Sequence, residues 1–178
     1  MIGSAKLKFL IKMTCAAISA FVILAVIVLF VVIPYEVKNQ NMATILQPND
    51  RLLVNKLAPR FDGIHHKDIV VYQAADQYRV GRVIGEPGQS VEFQKGQLRL
   101  DHSPVSESYV NQQDKETWSL KSLPNSESDI IPPNTYLILN DCRDNGDDSR
   151  KLGLIKKSNI EGKLWIRYYP FDKITTHF

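Results

Sequence analysis

The densest chemistry in the 178-residue chain lies at Asp141-Cys142-Arg143-Asp144-Asn145-Gly146-Asp147-Asp148-Ser149-Arg150. Spaced carboxylates of this kind suggest a calcium loop, but Arg143 stands at what would be a ligand position and no Glu closes the twelve-residue frame. His65, His66, His102 and His177 have none of the spacings that make a metal site. Cys15 falls in an apolar run and Cys142 far along the chain, so no disulfide framework is expected. No metal and no cofactor are expected from these residues.

The elements that must position this chemistry divide at an apolar boundary. Residues 13–33 contain no charge and, at the helical rise, reach roughly 30 Å, the thickness of a bilayer's hydrocarbon core. Lys6, Lys8 and Lys12 precede the run without an acid, which favours a cytoplasmic N-terminus. The run is longer than a signal-peptide core and no Ala-x-Ala site follows it, so an uncleaved single-pass anchor in the cell membrane is expected. The expected organisation is a basic tail over 1–12, a transmembrane helix over 13–33 and an extracytoplasmic domain over 34–178.

Beyond Tyr35 the pattern is that of strands. Residues 50–56, 68–72, 78–84, 90–93, 97–100, 135–139 and 164–169 are short β-branched or alternating runs between polar turns, which predicts a mainly β domain of antiparallel strands. Ala74-Ala75-Asp76-Gln77 and Gln94-Lys95-Gly96 read as hairpin turns. Residues 111–128 read as a polar surface insertion. Without the three leading lysines, 19 basic residues face 19 acidic ones in no basic stripe, and nucleic acid is excluded as a partner.

Three ordered stretches give the domain a relative. Asn41-Met42-Ala43-Thr44-Ile45-Leu46, Gly81-Arg82-Val83-Ile84-Gly85-Glu86-Pro87-Gly88 and Asn140 to Arg150 resemble the boxes of the type I signal peptidases. Those membrane-anchored serine proteases read roughly Ser-Met-x-Pro-Thr-Leu, Lys-Arg-Val-Ile-Gly-x-Pro-Gly and Gly-Asp-Asn-Arg-Asp-Asn-Ser-x-Asp-Ser-Arg at these places. The resemblance implies a signal-peptidase-type β domain behind a single helix, and Ile130-Ile131-Pro132-Pro133 and Arg167-Tyr168-Tyr169-Pro170-Phe171 resemble inactive Gram-positive members in particular.

The departures from the boxes fall on the catalytic unit. The resemblance places Asn41 at the nucleophilic serine, Gly81 at the lysine general base and Gly146 at the serine that orients the lysine. A carboxamide is a poor nucleophile without a hydroxyl proton, and glycine has no base to offer. Loss of one member of such a unit already removes most of the chemical step, so an inactive homologue is expected. The alternative is an active peptidase using Thr44 as a substitute nucleophile. By resemblance, Asp148 and Arg150 form a structural ion pair, while Met42, Ile45, Leu46, Val80 and Val83 are candidates either for a substrate cleft or for plain core. Trp165, Tyr168, Tyr169 and Phe171 are candidates for a lipid-facing end or for core. The expected partners are the membrane and either signal peptides of exported proteins or an active signal peptidase paralogue.

Overall fold

The computed structural model describes residues 3–110, 117–144 and 146–178. Helix α1, Ser4–Phe30, carries large apolar side chains that are exposed along its length, from Leu7 to Phe30. A helix that is apolar all round belongs in a protein core or in lipid, and no part of the described domain covers this one. It begins before the uncharged run, so Lys6, Lys8 and Lys12 ride on the helix, and it stops short of residue 33. Val32 and Ile33, two β-branched residues, open a strand instead. The handover is marked by the Lys56 N–H, which donates to the Val31 carbonyl at 2.9 Å.

Eleven strands follow among the described residues: β1 (Val32–Glu36), β2 (Arg51–Asn55), β3 (Ile69–Ala74), β4 (Gln77–Gly85), β5 (Val91–Gln94), β6 (Gln97–Leu100), β7 (Ser103–Pro104), β8 (Trp118–Ser119), β9 (Thr135–Leu139), β10 (Ile155–Lys156) and β11 (Ile160–Tyr169). They form a seven-stranded sheet ordered β1-β2-β11-β3-β4-β9-β10 and a four-stranded sheet ordered β7-β6-β5-β8, every pairing antiparallel. Ala75 and Asp76 join β3 to β4, and Lys95 and Gly96 join β5 to β6. All four turn residues have positive φ, from 49° to 82°, as a two-residue hairpin of matching twist requires.

Alternation along the strands sends side chains to opposite faces. On β3, Ile69 and Val71 pack with Met42, Leu46, Leu52, Val54 and Val80 on one face of the large sheet. Val70 and Tyr72 pack with Val83 and Ile138 on the other. A third cluster, around Phe93, Leu98, Leu120 and Leu137, joins the small sheet to the large one. The polar stretch 111–128 is in part a correction: residues 111–116 lie outside the described structure, but Trp118 stacks on Phe93 at 4.5 Å, and Leu120 and Leu123 are core. Three apolar side chains spaced through polar ones are enough to bind this segment to β5. Helix α2, Ala58–Phe61, and helix α3, Ser149–Leu152, are single turns.

Candidate functional site

The three box-like stretches meet around residues 140–150. The Cys142 N–H donates to the Asn41 carbonyl at 3.0 Å, and the Asp141 N–H points at Met42 Sδ at 3.4 Å. From β4, Arg82 grips Asp141 with two hydrogen bonds, Nε to Oδ1 at 2.9 Å and Nη2 to Oδ2 at 2.7 Å. Both side chains are almost wholly excluded from solvent, so the pair holds only because the fork-like geometry satisfies both charges. The guanidinium also donates to the Lys67 carbonyl at 3.0 Å and lies over the Tyr109 ring at 4.3 Å. Thr44 Oγ1 donates to Asp141 Oδ2 at 3.3 Å.

The second half of the third stretch is built as tightly. Asp148 caps α3 by accepting from the Arg150 N–H at 3.0 Å, and its two oxygens accept from Arg150 Nε at 3.0 Å and Nη2 at 2.8 Å. Its Oδ2 also accepts from the Asn140 N–H at 3.0 Å, and Ser149 Oγ accepts from the Ile138 N–H at 3.0 Å. Arg143 pairs with Glu107, both buried, and donates to the Asn140 carbonyl at 2.9 Å. Asp148 and Arg150 are thus the ion pair that the resemblance implied.

Gly81 sits one residue before Arg82 and faces the other way, toward Val70, Tyr72 and Ile138. A Cβ placed on it would meet Ile138 Cγ2 at 2.7 Å, the Leu139 carbonyl oxygen at 3.3 Å and Tyr72 Cε1 at 3.4 Å. The space where a side chain would start is filled. The Tyr72 hydroxyl is buried there with no hydrogen-bond partner among the described residues. Burial pushes its phenol above the ordinary range, and the nearby Asp148 carboxylate adds to this. Arg79, two residues before Gly81 on the same face, is bound to Asp147. That hydrogen bond holds the Asp147 carboxyl below the usual carboxylate range. Gly146 is different: a Cβ there would meet nothing within 4 Å.

The other predicted residues sort by burial. Asn41 is 2% exposed. Met42, Leu46, Val80 and Val83 are fully buried core side chains, which corrects the cleft reading for these four: each is packed between the sheet and its cover and presents nothing to a ligand. Ile45 keeps partial exposure. Trp165, Tyr169 and Phe171 are exposed and Tyr168 half-buried, so the aromatic end is surface, not core. The Arg79–Asp147 pair and the Ile138 filling were not anticipated. Their partners lie 57 to 68 residues apart, and no local pattern announces such a contact.

A profile of the family described as "Signal peptidase, peptidase S26" matches residues 10–169. The chain belongs to this family. It is 37% identical over 172 residues to the inactive signal peptidase IA of Staphylococcus aureus, covering 97% of this chain and 99% of that one. To the signal peptidase IB of the same species it is 34% identical over 183 residues, covering 96% and 95%. The crystal structure of a signal peptidase I from Enterococcus faecalis shares the fold with 29% identity and a TM-score of 0.51, over 56% of this chain and 95% of that one. Relatives and chemistry agree on a non-catalytic member of the S26 family. The Thr44 hydroxyl donates to a carboxylate already held by Arg82, and among the described residues no lysine is bonded to it.

Proposed function

We propose that this S26 homologue is a membrane-anchored, non-cleaving domain that holds extended signal peptides beside a disarmed catalytic centre. Asn41 stands at the nucleophile position, Gly81 at the general base and Gly146 at the base-orienting position. The lysines of α1 favour a cytoplasmic N-terminus, with the β domain outside the cytoplasm.

The observation that carries the binding reading is the half-paired strand β4. Residues Gln77–Arg82 pair with β3, but β9 joins the opposite side only from Arg82 onward. Along Gln77–Gly81 no described strand pairs with that second side. An extended peptide can add there through its main chain, a mode of recognition that needs neither nucleophile nor base. The open stretch ends at Gly81, where the family's chemistry would begin.

The test uses full-length protein in detergent micelles, a fluorescently labelled signal peptide and a preprotein. The expected result is saturable binding by anisotropy, with no product over times in which an active signal peptidase converts the preprotein. Absence of binding by folded protein would overturn the peptide-holding reading. Product that disappears in Thr44→Ala would overturn the inactive one.

A further inference from the structure

Where α1 meets the β domain there is a concavity of about 850 Å³. One wall is the end of the helix, Leu29 and Phe30; the others carry Lys56, Arg60, Lys156 and Lys157, with Glu161 the one acid among the lining residues. None of these four cations forms an ion pair with a described acid. We infer that this concavity is a binding site for the phosphodiester headgroup of an anionic phospholipid.

Its place in the fold supports a lipid over a free anion. The Lys56 N–H donates to the Val31 carbonyl, which pins that lysine beside the helix exit. The Lys157 N–H donates to the Asn134 carbonyl, which pins the second pair of lysines opposite. Pro59 is buried and anchors α2, so Arg60 turns to the surface next to Phe61, a phenyl ring 83% exposed. Cations thus stand above an apolar wall that continues down the anchor. A phosphate in this position has its acyl chains beside Leu29 and Phe30, and free phosphate makes no use of that wall. The exposed aromatic end is a different region. Tyr169 pairs with Arg51 and so with Glu36, at the end of the sheet away from Val32, about 13 Å along the strands from the helix exit.

This inference goes beyond peptide holding and rests only on α1 being the membrane anchor. The experiment reads lipid adducts on the full-length protein by native mass spectrometry, with dioleoyl phosphatidylglycerol or dioleoyl phosphatidylcholine at equal concentration. Each surface cation near an anionic headgroup contributes about a fivefold gain in affinity. The expected result is at least tenfold preference for the anionic lipid, abolished in Arg60→Gln/Lys156→Gln/Lys157→Gln and kept in Lys95→Gln/Lys121→Gln/Lys151→Gln. Equal retention of both lipids, or equal loss in both triple variants, overturns the site. Displacement of the anionic lipid by millimolar inorganic phosphate would assign the cations to a free anion and also overturn it. Flotation with neutral phosphatidylcholine vesicles separates the two readings: protein that does not float refutes the anchor, whereas protein that floats but shows no lipid preference in the mass spectra refutes the headgroup site alone.

Discussion

Arg82 and Gly81 are chain neighbours on opposite faces of β4, and the two faces have different fates. On the Arg82 face, Asp141 lies within two hydrogen bonds, Thr44 and Met42 close around it, and almost no solvent reaches the charges. On the Gly81 face a side chain is missing, and Ile138 and Tyr72 occupy the place where it would begin. The difference follows from what each group does for folding. A buried ion pair that loses one member leaves an uncompensated charge, so the fold needs both. Gly81, the proposed position of a general base, has no charge to compensate, and apolar packing fills the space beside it. The framework of a protease and its reactive groups are therefore separable, and this molecule shows the first without the second.

The comparison breaks most violently on the Arg82 face. Arg82→Met leaves the Asp141 carboxylate buried and unpaired, and we expect the β domain to lose about 3 to 5 kcal/mol of stability. Denaturant unfolding of the full chain in micelles, followed by tryptophan fluorescence, measures this; a loss below about 1 kcal/mol would show that the pair is not a structural centre.

The Gly81 face sharpens the contrast at the next level. Gly81→Lys drives a Cβ to 2.7 Å from Ile138 Cγ2, a branched methyl that cannot swing aside. Overpacking of this kind destabilises by about 1 to 3 kcal/mol. Gly146→Ser enters open space, so its effect falls within about 0.5 kcal/mol. The double change Asn41→Ser with Gly81→Lys, a natural way to ask whether the frame alone persists, is expected to yield no preprotein cleavage. Adding Ile138→Ala removes the obstructing methyl and gives the new lysine room. Cleavage by the double variant without that third change would show that the filled position yields easily.

How far all this could be read from residues alone depends on distance along the chain. Alternation found seven strands, and the turn pairs at Ala75-Asp76 and Lys95-Gly96 were legible because a two-residue hairpin leaves its mark within four residues. The Asp148–Arg150 pair was legible through the ordered boxes, which also carry the roles proposed for positions 41, 81 and 146. β1 was hidden because Val32 and Ile33 continue the apolar run of the anchor, and periodicity cannot separate a span from an apolar strand at its end. Trp118 and Leu120 were hidden inside a polar stretch. Ile138 over Gly81 and the four cations at the helix exit depend on strand order, which residue spacing does not encode.

A modest effect belongs to Arg79 and Asp147, which close the same face as Gly81 from its solvent side. Asp147 is partly exposed, so its pair is screened and its contribution modest. Its direction is nevertheless fixed. The hydrogen bond from Arg79 holds the folded carboxyl below its ordinary value, so the contribution is complete above the unfolded pKa, near 4, and disappears as pH falls through the lower folded value. Unfolding midpoints measured between pH 7 and pH 2 should therefore decline for the native chain, and the decline should be shallower in Asp147→Asn, which has no carboxyl to protonate. Identical slopes would mean that Arg79 does not hold Asp147 in solution, and Gly81 would be covered by Tyr72 and Ile138 alone.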